Sequence, residues 1–477
     1  MKRNAADGLF TESSSSYKPE IVIPYLSKKM LPSLVLINPW IYDFAAYDLW
    51  SKPLGLLYLG GYLRDCGFNI YMIDCLNAHH PAMLDDPSKK APKRRSYGTG
   101  KFWRQQVPKP LPLKDVSRSY SRYGISHEAF AEELKKVKEP AAVLVTSLMT
   151  YWYPGVKKVI AHVREAYPDT PIILGGIYAR LCSDHAVKYS GASHVVTDSN
   201  PISLLKVLND CGIPMPGPFP DTLPYPAFSL LSSIDYICLL TSRGCPYRCP
   251  YCASYFLEPK LIRRDPDEVL DEILFWHRNF NVQDFAFYDD ALLVDSNAHA
   301  AVLLEDIARL DLNLRFHTPN ALHVKEITLD IASLMHRTGF KTIRLGLETS
   351  DFLLHSNLGN KVAAGDFDRA VRNLLTAGFT RSDIGAYLLT GLPGQSVSSV
   401  IKTIDFVAGI GVMPYLAEYS PIPHTDLWEK AVSCSQYDLA SEPLFHNNTL
   451  IPCWNESQKK ELPRLKKKVL EVRQKFR

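Results

Sequence analysis

CPYRCPYC, residues 245–252, sets Cys245, Cys249 and Cys252 at C-x3-C-x2-C spacing, with Arg243 and Gly244 just before the first cysteine. Three thiolates this close can hold three irons of a cubane 4Fe-4S cluster and leave the fourth iron without a protein ligand. An open iron can bind a small molecule through nitrogen and oxygen, so the cluster becomes a reagent as well as an electron carrier. Structural zinc usually takes four protein ligands in two paired spacings, and no second C-x2-C lies downstream. A disulfide-bonded loop fits worse, because the remaining cysteines (66, 75, 182, 211, 238, 434 and 453) are scattered singles. That is how a reduced, cytoplasmic protein uses cysteine.

Working outward, strands are expected at 234–241, 284–288, 313–318, 342–347, 383–390 and 412–419. Helices alternate with them at 266–278, 297–309, 325–338, 365–377 and 396–408. Six such units are too few for a closed eightfold barrel, so an open partial (β/α)6 barrel of TIM type is predicted, with its active face at the strand ends. The cysteine loop leaves the first of those strands. Upstream, short apolar runs at 33–38, 69–74, 142–147, 171–174 and 194–197 alternate with helical patterns opening at Pro53 and spanning 128–138, 154–166, 181–190 and 201–211. Five strands in that alternation predict an α/β, Rossmann-like, doubly wound parallel sheet that binds ligands at its carboxyl ends. Asn38, Asp74, Ser147, Gly175 and Gly176 all fall there.

The expected organisation is a flexible segment at 1–30, the doubly wound domain at 31–213, a proline-rich linker at 214–230, the barrel at 231–430 and a short helical extension at 431–477. The first domain carries a polar insert at about 77–125. Pro214, Pro216, Pro218, Pro220, Pro224 and Pro226 stiffen the linker.

The cysteine run, with Tyr251 before its last member, resembles the signature of the radical S-adenosylmethionine (radical SAM) superfamily. The upstream half is similar to the cobalamin-binding domain found ahead of many radical SAM modules. It matches at Asn38-Pro39, Pro53-Leu54-Gly55, Thr146-Ser147-Leu148 and Gly175-Gly176. The resemblance implies a 4Fe-4S cluster on Cys245, Cys249 and Cys252, and S-adenosyl-L-methionine held near Tyr251, Asp289, Glu348 and Gly391. It implies cobalamin against Asn38, Ser147, Gly175 and Gly176, and an external electron donor such as flavodoxin or ferredoxin. Glu348 would take the ribose, Asp289 the amino end, and the small residues at Gly391 would admit the adenine. The cobalt-ligating D-x-H-x-x-G motif is absent, so cobalamin would sit without a protein histidine. Thr197-Asp-Ser-Asn200 stands where relatives often carry Gly-Glu-Gly-Glu.

The implied reaction is methyl transfer to an unactivated carbon of a small molecule through a 5′-deoxyadenosyl radical. Rearrangement or cyclisation without methyl transfer is the rival, and an iron–sulfur electron carrier or redox sensor is the rival of another class. RNA methylthiolation fits poorly, since its second cysteine set and RNA-binding domain are missing. Between Pro87 and Lys109 the insert has eight Lys/Arg, no acid, and Tyr97, Phe102 and Trp103. A solvated loop is its plain reading, and a lid over an anionic substrate the functional one. Net charge is +4, which advertises no nucleic acid. No run approaches a membrane span. The tail 456–477, with nine Lys/Arg against three Glu, reads as a solvated helix. His317 and His424 fall near strand ends, where a lone histidine is more often structural than catalytic.

Overall fold

The computed structural model describes residues 32–476, apart from 216, 218–223, 353, 354, 356, 357 and 360. The segment expected to be flexible at 1–30 and part of the linker at 214–230 therefore lie outside the described residues. The strand Ser33–Asn38 buries Leu34, Val35, Leu36 and Ile37 completely, as a central parallel strand covered on both faces must. It lies between Asn69–Asp74 and Ala142–Val145, and Ile172–Leu174 and His194–Val195 complete a five-stranded parallel sheet. The strand order reverses between Ser33–Asn38 and Ala142–Val145, the switch point where such sheets open a ligand crevice. Asn38 and Ser147 stand at that crevice.

The second sheet takes Ile237–Leu239, Asp284–Phe287, Arg315–His317, Phe340–Glu348, Ile384–Thr390 and Met413–Glu418 in chain order, all parallel. This is the open α/β barrel wall expected from the alternation. Leu322–His323 adds a short seventh strand beside Phe340–Glu348. Ile343, Leu345 and Leu347 pack on Ala332, Met335, Val371 and Leu374 of the flanking helices, so Arg344 and Gly346 face the concave side.

The helix Leu54–Asp65 serves both sheets. Leu56 and Leu63 pack under the first, while Leu54, Leu57 and Tyr58 join the core of the second. Two apolar stripes on one helix bind the halves as hydrophobic packing rather than as a spacer.

Three expectations need correction. The insert at 77–125 is not a loose loop or lid. Arg104–Val107, Tyr120–Tyr123 and Ile41–Asp43 form an antiparallel sheet, and Tyr47–Asp48 pairs with Gly100–Lys101. Phe102 and Trp103 are buried, Trp103 Nε1 donates to the Ala78 carbonyl at 3.1 Å, and Arg94 pairs with Asp48 at 2.6 Å. Phe102 and Trp103 are core residues and Tyr97 packs on His317 of the barrel, which composition alone could not distinguish from a stacking surface. Second, the helix expected at 181–190 is two, Ile177–Leu181 and Ser183–Tyr189, broken at Cys182. Third, the basic tail forms a helix, Leu462–Gln474, that is not solvated all round. Leu465, Val469 and Val472 are buried against the barrel, at the i, i+4, i+7 spacing of one face.

His317 is structural. It lies between the rings of Trp50 and Tyr97 at 4.9 and 4.7 Å and hydrogen-bonds Asp284 and Thr342. No helix among the described residues is long and apolar enough to cross a membrane.

Candidate active site

The cysteine loop leaves the strand Ile237–Leu239 and is anchored at its root by Asp289. That carboxylate accepts from the backbone N–H of Thr241 (3.1 Å) and of Ser242 (2.6 Å), and from both hydroxyls at 2.7 Å. Burial raises the Asp289 carboxyl above its ordinary range, and those four donors pull the other way. Its Oδ1 is thus committed to the loop, whereas sequence reasoning placed Asp289 on the amino end of S-adenosylmethionine. Asp290, its exposed neighbour, accepts from Ser254 Oγ at 2.9 Å, and Ser254 Oγ lies 3.3 Å from Cys252 Sγ. Adjacent acids on extended backbone point opposite ways, and here the second one faces the thiols.

Cys249 is buried, Cys245 and Cys252 partly so, and all three are free thiols. Burial pushes the Cys245 thiol up to about 11, with Asp290 and the other two thiols adding to the shift. Among the described residues no three His, Cys, Asp or Glu side chains already stand in a metal-binding group. The donor set nevertheless suits iron, because soft sulfur ligands gathered on one loop with no disulfide partner are what a cluster requires.

Above the loop, Glu348 ends its strand in the left-handed region (φ 67°) and is buried. Its Oε1 accepts from Lys361 Nζ at 2.8 Å, and Lys361 Nζ lies 3.5 Å from the Tyr251 hydroxyl. Burial alone would lower the Lys361 pKa, but Glu348 and Cys249 overcome it and hold the ammonium well charged. Tyr251 packs with Leu358, Leu389, Leu392 and Tyr419. The buried Tyr419 hydroxyl has no partner among the described residues, an orphan polar atom that a ligand would satisfy. Gly391 departs from expectation. A Cβ there would meet Ile451 at 2.8 Å, and its N–H is held by Gln395 Oε1 at 2.8 Å. The room it makes is filled by the C-terminal extension. His424 stacks on Phe256 at 4.1 Å and 2°.

At the crevice of the first sheet, Asn38 Nδ2 donates to Asp74 Oδ1 (2.7 Å) and Ser147 Oγ to the Gly175 carbonyl (2.7 Å). Gly176 has φ 93°, and a Cβ there would lie 2.3 Å from the Ser147 carbonyl oxygen, so only glycine fits. A Cβ at Gly175 would meet nothing within 4 Å. Ser147, Gly175 and Gly176 thus form one tight turn beside open space, a surface a flat ring can approach. Arg180, four residues beyond, reaches across to the Leu257 carbonyl and to Glu258 Oε1, the latter at 3.3 Å. The turn and the cysteine loop are thereby tied together.

Residues 239–407 match the family description "Radical SAM superfamily". This stretch is a radical SAM domain. It contains the three cysteines, Asp289, Glu348 and Gly391. An uncharacterized methyltransferase of Pyrococcus horikoshii is 22% identical over 45% of this chain and 47% of its own length. Cytidylyl-2-hydroxyethylphosphonate methyltransferase of Streptomyces wedmorensis is 24% identical over 41% and 37%. The matches thus span about half or less of these curated relatives. The radical SAM methyltransferase TsrM of Kitasatospora setae, solved with cobalamin and a [4Fe-4S] cluster, shares the fold at TM-score 0.63. It is 16% identical over 93% of this chain and 91% of its own. That likeness runs through the radical SAM domain and the upstream sheet alike.

Lys361 and Arg180 escaped the sequence reading, and Asp290 was set aside there in favour of Asp289. Only Asp290 carried a signal there, as the other half of an Asp-Asp pair.

Proposed function

We propose that the chain is a cobalamin-dependent radical SAM methyltransferase acting on a small molecule. The observation that carries this is the Arg180 bridge between the Ser147–Gly176 turn and the loop of Cys245, Cys249 and Cys252. It ties the turn, where a Cβ at Gly175 would meet nothing within 4 Å, to the segment just past the three thiols. When bound, the cluster supplies an electron to S-adenosylmethionine and cobalamin supplies the transferable methyl group.

The protein's own residues do the placing. Cys245, Cys249 and Cys252 hold the cluster. Asp290 faces the side where the amino end of S-adenosylmethionine would lie, and Glu348, paired with Lys361, accepts from the ribose diol. Tyr251 and Tyr419 enclose that region and exclude water. Cobalamin would rest against Gly175 and Ser147, with Asn38 fixing the crevice floor through Asp74. The relatives named methyltransferases support methyl transfer. An external flavodoxin or ferredoxin would deliver the electron, and the reduced thiols fit a cytoplasmic setting.

The test is anaerobic. The cluster is reconstituted, cobalamin, S-adenosylmethionine and a reductant are added, and the products are separated. S-adenosylhomocysteine together with 5′-deoxyadenosine supports the proposal. 5′-Deoxyadenosine without S-adenosylhomocysteine would favour rearrangement, and neither product from an intact cluster would count against both.

A further inference from the structure

Arg344 stands two residues before Gly346 on the strand Phe340–Glu348. A Cβ added at Gly346 would lie 3.1 Å from Glu348 Oε1 and 3.3 Å from Lys361 Nζ. This row of the strand therefore points into the concavity that holds the ion pair, and Arg344 lies about 7 Å further down it. Its guanidinium sits 4.4 Å over the ring of Tyr415, and the guanidinium of Arg473, from the C-terminal helix, sits 4.1 Å over the same ring. Gly385 leaves the room: a Cβ there would be 2.5 Å from Tyr415 and 3.3 Å from Arg344 Nη1.

Two cations share one ring, and neither has a carboxylate partner among the described residues. Arg344 donates to the Ile343 carbonyl at 2.8 Å and to the Tyr415 hydroxyl at 3.4 Å. Arg473 Nε is buried with no hydrogen-bond partner among the described residues. The cations around them are neutralised: Arg315 by Asp284, Lys466 by Glu418 and Lys468 by Asp405. A buried, unspent Arg473 Nε–H beside a second guanidinium on the same ring favours an oxyanion, which a guanidinium can grip through parallel hydrogen bonds.

We propose that Arg344 and Arg473 form an anchoring site for an oxyanion of the substrate, a carboxylate or a phosphoryl group, below the Glu348–Lys361 pair. This deepens the functional reading above and rests on it. The site holds the charged end of the substrate at the barrel floor, so that the remainder extends toward the cysteine loop. The specificity that follows is for a molecule with its anionic group on one end and its reacting carbon on the other.

The probe is methylphosphonate, titrated into the reconstituted full-length chain and followed by 31P line broadening. Saturable broadening is expected, with affinity falling about tenfold or more in R344Q and in R473Q. R309Q, at an exposed side chain, serves as the charge control. Displacement by acetate at comparable concentration marks a carboxylate site and resistance marks a phosphoryl site, and either supports the anchor. Should R344Q fail to fold, R473Q gives the same reading from the end of the chain. Absence of saturable broadening, or equal affinity in R473Q and the parent, overturns the proposal. S-adenosylmethionine cleavage is scored separately on the same preparations. Cleavage without anion binding sinks the anchor alone, and anion binding without cleavage counts against the functional reading alone.

Discussion

Arg180 and Glu258 meet at 3.3 Å across the junction of the two sheets, one from the helix that follows the Gly175-Gly176 turn and the other just past the cysteine loop. Both side chains are mostly covered, and Arg180 also donates to the Leu257 carbonyl. Charge-assisted bonds of this kind contribute about 1.5–3 kcal/mol. R180A should lower the melting temperature by a few degrees and reduce the cobalamin retained per chain after gel filtration, while iron per chain stays at the parent level. Parallel loss of iron would mean that the bridge supports the loop itself.

Asp289 and Asp290 have separable roles. D289A strips the acceptor from two backbone N–H groups and two hydroxyls at the root of the loop, a loss on the order of 3–5 kcal/mol. Low iron content and a lowered urea midpoint are expected. D290A should keep its iron and bind S-adenosylmethionine more weakly, measured by equilibrium dialysis. The reverse pattern would return the ligand role to Asp289.

The Glu348–Lys361 pair is buried on both sides. Removing one partner leaves the other charge uncompensated, at a cost of about 3–5 kcal/mol. K361M and E348Q should therefore each destabilise the chain, and the double variant should be less destabilised than the sum of the two. Urea denaturation of the four proteins measures the coupling, and strict additivity would deny it.

His446 links the C-terminal extension to the first sheet. Its Nε2 donates to the Leu439 carbonyl (2.8 Å) and its Nδ1 accepts from Thr150 Oγ1 (2.9 Å), an arrangement for neutral imidazole. Burial depresses its pKa to about 4, with His185 nearby adding to the shift. The unfolded chain takes up this proton first, near its ordinary 6.5. Stability is therefore full above about pH 6.5 and falls as pH drops toward 4, by up to about 3 kcal/mol for this group. Melting at pH 7.5 and 5.5 should show the loss, and H446Q should flatten it.

The sequence was most legible where one physical rule dominated. Ser33–Asn38 was readable to the residue, because a fully buried strand can contain little but apolar side chains, and the half-covered edge strand Asn69–Asp74 was bounded by its polar ends. The order of the barrel strands followed from strict alternation. The insert was not legible: Tyr97, Phe102 and Trp103 among lysines look the same whether the rings face water, a ligand or the core. The split at Cys182 carries no glycine or proline to announce it. Lys361 is thirteen positions from Glu348 in a stretch without periodicity, and only the fold brings the two together.

The central claim is that Cys245, Cys249 and Cys252 hold a cluster whose fourth iron is open to S-adenosylmethionine. Electron paramagnetic resonance of the reduced, reconstituted chain, recorded with and without S-adenosylmethionine, tests it without need of the substrate. A [4Fe–4S]+ signal that shifts on adding S-adenosylmethionine, and is lost in C249A, is the predicted result. A cluster signal that S-adenosylmethionine leaves unchanged, or that survives in C249A, would contradict it.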